Sequence, residues 1–217
     1  MRLDRNTYGT VLLVYFFCAL AIFLLWRFVP VWWLNALLTL GLLWVCAWQT
    51  YFHMVPDRIA TGSDRLVSAV SDGKVVHVEQ VFESRYLQRE CIQVSVYMDF
   101  WDLHANFWPV TGVVSYADYY PGKHMLAFKP KASEENEHSC TIIRTPAGKE
   151  LLFKQIAGGF ARRIVCYAKE GLAVKAGDQC GIIKFGSRID YFLPLDAEIR
   201  VKVGDFVKAV HSVIAEI

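Results

Sequence analysis

This chain lacks the spacings that hold metals or staple small folds. Its six cysteines, Cys18, Cys46, Cys91, Cys140, Cys166 and Cys180, are scattered, and no two stand in Cys-x-x-Cys spacing. That argues against a disulfide framework or a zinc module and fits a reducing compartment. No bound metal is expected. An excess of either charge is also missing. Lys and Arg number 23, Asp and Glu 21, and the formal net charge is +2, too small to point to nucleic acid. Charge is scarcest at the amino end. Tyr8 to Trp26 and Val31 to Phe52 are two almost uncharged apolar runs, each near the ~20 residues a helix needs to cross a bilayer core.

What is present at that end is aromatic. Trp26, Trp32, Trp33, Trp44 and Trp48 are five of the seven tryptophans, and several stand near the ends of the runs, where an interfacial belt would lie. Arg27 to Pro30 is a short connection and reads as the tip of a helical hairpin, with Pro30 opening the second helix. Two runs in succession, with no small-residue cleavage site between them, argue against a secretory signal. Arg2 and Arg5 precede the hairpin and Arg58 and Arg65 follow it, whereas only Arg27 marks the tip. The positive-inside rule then puts both ends on the cytoplasmic side of the cell (inner) membrane. The expected division is a transmembrane hairpin over residues 1–56 and a second domain over 57–217.

The second domain reads as mainly β. Val75 to Val78, Ile92 to Tyr97, Gly112 to Tyr116, Thr141 to Ile143, Ile164 to Tyr167, Gly181 to Ile183 and Glu198 to Val203 are short runs rich in β-branched and aromatic residues. Turn signals such as Ser71-Asp72-Gly73-Lys74 and Thr145-Pro146-Ala147-Gly148 separate them. This is the spacing of a hairpin-built sandwich or barrel. Gln155 to Arg163 reads as a short helix or a glycine-loosened bend. Val174-Lys175-Ala176-Gly177-Asp178 is loosely echoed by Val201-Lys202-Val203-Gly204-Asp205, and both look like a turn of barrel–sandwich hybrid domains. The fold class expected is a barrel–sandwich-like β domain behind a helical hairpin.

Lys184-Phe185-Gly186-Ser187 lies late in the chain between two strand-like runs. A Gly-Ser bond in a tight turn is an ordinary turn dipeptide. It is also a place where a serine hydroxyl can attack the preceding carbonyl, turn the amide into an ester and, after elimination, leave a pyruvoyl group. Three further stretches stand in order before it: Ser71-Asp72-Gly73-Lys74-Val75-Val76, then Asp102-Leu103-His104 through Pro109 to Gly112, then Gln155-Ile156-Ala157-Gly158 with Ala161-Arg162-Arg163-Ile164. Together with Phe185-Gly186-Ser187-Arg188, and with Pro121-Gly122-Lys123 in the middle segment, they resemble the short, membrane-anchored bacterial phosphatidylserine decarboxylases. The resemblance runs from about Asp57 to the end.

That resemblance implies a proenzyme cut between Gly186 and Ser187, whose two chains stay associated. It implies a pyruvoyl group made from Ser187, phosphatidylserine in the bilayer as substrate, and phosphatidylethanolamine and carbon dioxide as products. Decarboxylation at Cα needs an electron sink that no ordinary side chain supplies. Asp72 matches an aspartate of an Asp-His-Ser arrangement that drives self-cleavage. His104 is the candidate proton donor or phosphate contact. Arg162 and Arg163 are candidates to hold the phosphodiester. Longer members carry a second histidine where this chain has Phe107, so the group that activates Ser187 stays open among His104, His77 and His124. Phe100, Trp101, Phe107 and Trp108 bracket His104; as alternating strand residues half could be core, and some of the cluster is expected at the level of the lipid headgroups, dipping toward the acyl chains. The competing readings are a membrane-anchored adaptor without chemistry and a family member that folds but is not processed. Homo-oligomerisation is left open.

Overall fold

A computed structural model describes residues 1–60, 65–123, 125, 132–159, 163–184 and 187–217. The chain divides into two compact units, Met1–Asp57 and Arg58–Ile217.

In the first unit Arg2–Leu3 (β1) pairs antiparallel with Met54–Val55 (β2). Between them lie helices Tyr8–Phe28 (α1) and Trp32–Phe52 (α2), each of 21 residues. At 1.5 Å per residue each is about 31 Å long, the thickness of a bilayer core. Both are long and apolar enough to cross a membrane, and they turn most of their apolar side chains outward, as Phe23 at 64 % exposure and Leu40 at 65 % illustrate. Two polar side chains in the hairpin donate hydrogen bonds within it. Trp26 Nε1 donates to Thr39 Oγ1 at 3.0 Å, and Asn35 Nδ2 donates to the Val29 carbonyl at 2.9 Å. Such pairing is what a hydrocarbon surrounding demands. Pro30 lies in the connecting turn; the second helix begins two residues later.

The second unit is mainly β. Its strands are Leu66–Ser68 (β3), Gly73–Glu83 (β4), Arg89–Met98 (β5), Ala105–Phe107 (β6), Gly112–Tyr120 (β7), His138–Arg144 (β8), Glu150–Ala157 (β9) and Arg163–Cys166 (β10). Ala173–Val174 (β11), Gln179–Lys184 (β12), Ser187–Leu193 (β13), Glu198–Ile199 (β14), Phe206–Val207 (β15) and Val213–Glu216 (β16) follow, and one short helix, Ala132–Glu135 (α3), precedes β8. Eight strands form a curled half-barrel sheet in the order β11-β7-β8-β9-β13-β5-β4-β15. Two smaller sheets have the orders β10-β12-β6 and β14-β16-β3. Neighbouring strands pair antiparallel, as a hairpin-rich sequence should.

The core follows from the period of two along each strand. Val94, Val96 and Met98 of β5, Leu151, Phe153 and Ala157 of β9, and Ile189, Tyr191 and Leu193 of β13 belong to one buried cluster with Val75, Val114 and Ile183. The echoed turns serve the same role twice. Gly177 and Gly204 have φ of +86° and +100°, a left-handed region that suits glycine. In each turn the aspartate N–H reaches back three residues, Asp178 to the Lys175 carbonyl and Asp205 to the Lys202 carbonyl, both at 3.1 Å.

The structure decides between alternatives at two places in the sequence. Gln155 to Ala157 is the end of β9, not a helix, and Arg163 already opens β10. The apolar run Leu151-Leu152-Phe153 sets strand geometry before the two glycines can loosen it. The aromatic cluster near His104 also divides. Trp101 is 61 % exposed, but Phe107 and Trp108 are buried, and Trp108 stacks edge-on to Phe153 at 6.1 Å. Phe107 ends β6, which pairs with β12, and Trp108, the next residue, donates its N–H to the Asp178 carbonyl at 2.8 Å.

Candidate active site

Ser187 is the first residue of β13 and is fully buried. It pairs with Met98 of β5 on one side and Ala157 of β9 on the other. Alternation along β13 sends its side chain to the face that carries Ile189, Tyr191 and Leu193. There its hydroxyl donates to Met98 Sδ at 3.6 Å. A thioether is a weak acceptor, so the hydroxyl is neither ionised nor strongly held. Position 187 also marks a change of sheet, since β12 belongs to a three-stranded sheet and β13 to the eight-stranded one.

His104 stands just before β6 and is completely buried. Its Nδ1 lies 2.8 Å from the Asp102 carbonyl. A carbonyl can only accept, so Nδ1 carries a proton. The His104 carbonyl accepts from Ile183 N–H at 3.3 Å. The histidine segment therefore lies against the end of the strand that leads to Ser187.

Asp72 reaches the same neighbourhood from the turn before β4. Arg58 clamps its carboxylate with both terminal nitrogens, Nη2 to Oδ2 at 2.8 Å, and Ala209 N–H donates to Oδ1 at 2.8 Å. Its preceding segment is tied to both flanking strands. Val70 N–H donates to the Tyr191 hydroxyl at 2.6 Å, and the Val70 carbonyl accepts from Phe107 N–H at 2.9 Å. Burial pushes the Asp102 carboxyl above the usual carboxylate range, against the pull of the Asp99 N–H, and the charges of Asp72 and Asp99 push it further. Asp72 thus feels the loop of His104 electrostatically, through Asp102, while its own hydrogen bonds go to Arg58 and Ala209.

Arg163 opens β10, is exposed, and faces Lys184 across the ladder. Gly186, Arg162 and His124 lie outside the described residues. Among the described residues no group of three His, Cys, Asp or Glu side chains could hold a metal ion.

Sequence reasoning gave no role to three residues that touch this site. Asn106 Nδ2 lies 3.9 Å from Met98 Sδ, Gln155 Nε2 donates to Asn106 Oδ1 at 2.7 Å, and Ser139 Oγ donates to Gln155 Oε1 at 2.8 Å. All three are buried. The available signal was a polar residue on the inward side of an otherwise apolar strand, which needs a partner there.

A sequence model of the phosphatidylserine decarboxylase family matches residues 45–215. The chain belongs to that family. It is 44 % identical over 170 residues to the phosphatidylserine decarboxylase proenzyme of Amoebophilus asiaticus, covering 78 % of this chain and 76 % of the relative. It is 36 % identical over 218 residues to the proenzyme of the same name from Cytophaga hutchinsonii, covering 100 % of this chain and 99 % of the relative. For the Parabacteroides distasonis proenzyme the figures are 41 % over 167 residues, 77 % and 76 %. In this phosphatidylserine decarboxylase family member the His104 segment lies against the end of β12, and the segment before Asp72 is tied to β6 and to β13, the strand that Ser187 opens.

Proposed function

We propose that this protein decarboxylates phosphatidylserine with a pyruvoyl group that it makes from Ser187 by cutting its own chain after Gly186. One observation carries the reading: in a chain of this proenzyme family, the serine is buried at a change of sheet, with the His104 segment hydrogen-bonded to the strand before it.

The surroundings of Ser187 fit such a group. The side chain faces a neutral, water-poor region where a ketone would be protected. The ladder fits it too. From Ser187 to Leu193 every residue of β13 is in register with β5, and from Ser187 to Phe192 with β9. A chain that begins at position 187 would stay clamped between two strands of the other fragment, which supports a stable two-chain enzyme. The pyruvoyl group supplies the electrophilic carbonyl that takes up the electron pair left when carbon dioxide departs. His104 would move the proton that ends at Cα. Arg163, with its neighbour Arg162, would hold the phosphodiester by paired hydrogen bonds. Asp72, held in place by Arg58 and the Ala209 N–H, would take part in the self-cleavage, as its match to the family's aspartate implies.

The hairpin supports work at a membrane, where the lipid substrate resides. The arginines outside the hairpin against the one at its tip favour anchoring in the cell (inner) membrane with the catalytic unit on the cytoplasmic side.

Intact mass spectrometry of the detergent-purified protein tests the reading. The wild type should give a fragment of residues 1–186 and a fragment beginning at position 187 with a carbonyl-blocked terminus. Ser187→Ala should give one uncut chain without activity on phosphatidylserine vesicles. A folded wild type that stays whole would favour the non-catalytic family member instead.

A further inference from the structure

The face of the eight-stranded sheet opposite the Ser187 side chain carries a cavity of about 600 Å³, within the range of small-molecule sites. Phe192 of β13 and Lys154 of β9 line it, and β4 adds His77, Glu79 and Glu83. The Lys154 side chain is 5 % exposed, and among the described residues its ammonium has one ion pair, with Glu83 Oε1 at 3.4 Å. Its other neighbours are the rings of Phe192 and Tyr86, at 4.7 Å and 5.0 Å. An ammonium has three hydrogens, and a buried charge needs hydrogen-bonded partners. The carboxylates beside it are already engaged. Glu83 Oε2 accepts from the N–H groups of Tyr86 and Leu87, both at 2.7 Å. Asp190, opposite Lys154 in the ladder, is held by Arg188 and Gln93. Lys154 therefore has hydrogens left to donate, and a cavity lies beside it.

The remaining charged side chains on the cavity set the class of ligand. Arg85, Glu79 and Glu134 line it and are exposed, and the Arg85 guanidinium lies over the Tyr120 ring at 4.2 Å. Two cations thus meet three carboxylates, Glu83 included. A plain anion would be repelled by the exposed carboxylates, and a plain cation by the buried ammonium. A molecule with both charges satisfies both ends. We infer that this cavity binds a small aminoalkyl phosphate, with the phosphate on Lys154 and the ammonium toward Glu79 and Glu134. Lysine holds phosphate as a point charge that requires no fixed plane. Further polar groups line the same space. Ser133 is buried there, and His77 Nε2 is buried with no hydrogen-bond partner among the described residues. His138 is engaged at both nitrogens, by the Asn136 carbonyl at 2.8 Å and the Tyr86 hydroxyl at 3.2 Å, and serves as wall. The same chemistry is carried by free amino-alcohol phosphates and by aminophospholipid headgroups. The site draws nothing from the cleavage proposed at Ser187, which faces the other side of the sheet.

The test is titration calorimetry of the detergent-purified protein, with O-phosphoethanolamine as probe and inorganic phosphate as the anion-only control. The wild type should bind the probe more tightly than phosphate. Lys154→Met combined with Glu83→Gln leaves no buried charge unpaired and should weaken the probe by about 10- to 10²-fold, the scale of a lost hydrogen bond to a charged group. Glu79→Gln with Glu134→Gln alters only exposed side chains, so it serves should the buried pair fail to fold. It should weaken the probe about 5-fold, the scale of two exposed ion pairs, and leave phosphate bound no more weakly. Ser187→Ala should bind the probe as the wild type does, whereas an amine captured by a pyruvoyl group would not be held by that variant. An uncut wild type, which would end the proposal for Ser187, leaves these expectations unchanged. Competition by short-chain phosphatidylethanolamine would name the lipid headgroup as the natural source, and its failure to compete would name the free phosphate ester. No binding to the wild type, phosphate bound as tightly as the probe, undiminished binding in the folded Lys154 variant, or lost binding in Ser187→Ala overturns the inference.

Discussion

The two faces of β13 have opposite chemistry. Toward the core it presents Ser187, Ile189, Tyr191 and Leu193, whose polar contacts are neutral: a sulfur for Ser187 and a backbone N–H for Tyr191. On the other face, one residue away, Arg188 and Asp190 form a fully buried pair, Nε to Oδ1 and Nη2 to Oδ2, both at 2.8 Å. Gln93 Nε2 adds a contact to Asp190 Oδ2 at 3.3 Å. Nearby, Lys154 meets Glu83 at 3.4 Å, and its ammonium sits over the rings of Phe192 and Tyr86 at 4.7 Å and 5.0 Å. A buried ion pair is a weak source of net stability but a strong marker of register. A slip of β13 by one residue would turn Arg188 and Asp190 into the apolar core and Ser187 out of it. The charged face therefore fixes where Ser187 lies, while keeping ions away from it.

The largest effect should come from breaking that marker. Asp190→Asn leaves a guanidinium buried without its counter-charge and is expected to cost about 3–5 kcal/mol, on the order of 10 °C in melting temperature for a unit of this size. Replacing both partners, Arg188→Met with Asp190→Leu, should recover most of the loss. Calorimetry of the three proteins checks this. A single variant that melts with the wild type would remove the register argument.

How much of this the sequence discloses depends on the range of the interaction. The hairpin, the strand runs and the paired glycine turns are local, and period and turn chemistry made them readable. The order of the Asp72, His104 and Gly186–Ser187 segments was readable as a resemblance. What escaped lies between strands. Asn106, Gln155 and Ser139 are far apart along the chain and meet only through the β6, β9 and β8 placements. Asp72 carried a readable role, but its clamp by Arg58 did not show, because Arg58 looked like a flanking charge of the hairpin. Trp108 looked interfacial by residue type, yet it packs edge-on against Phe153 in the core.

A smaller effect should follow from the neutral face. Tyr191→Phe strips the acceptor from the buried Val70 N–H and is expected to cost about 1–3 kcal/mol. Because Val70 leads into Asp72, cleavage should also slow by a few-fold while the ion-pair face stays intact. Amide exchange at Val70, measured beside the cleavage rate, checks both. Fast exchange with unchanged cleavage would detach the Asp72 turn from the chemistry.

The smallest effect is one of pH, and it belongs to the charged face. Burial pushes the His138 imidazole below its ordinary range, and Lys154 and Arg85 add to this, against the bond from Nδ1 to the Asn136 carbonyl. Burial pushes the Glu83 carboxyl up, but the N–H groups of Leu87 and Tyr86, each at 2.7 Å, together with Lys154 outweigh it, and the net shift is downward. In both cases the unfolded chain takes up protons first as pH falls, so stability rises with pH. The His138 share is complete above the unfolded histidine value of about 6.5 and the Glu83 share above about 4.3; each is lost as pH falls through the lower folded value. Melting temperature should therefore decline in two stages on acidification. His138→Gln should flatten the first stage and leave the second, and Glu83→Gln should do the reverse. A first stage that persists in His138→Gln would mean that the charged face does not control acid stability.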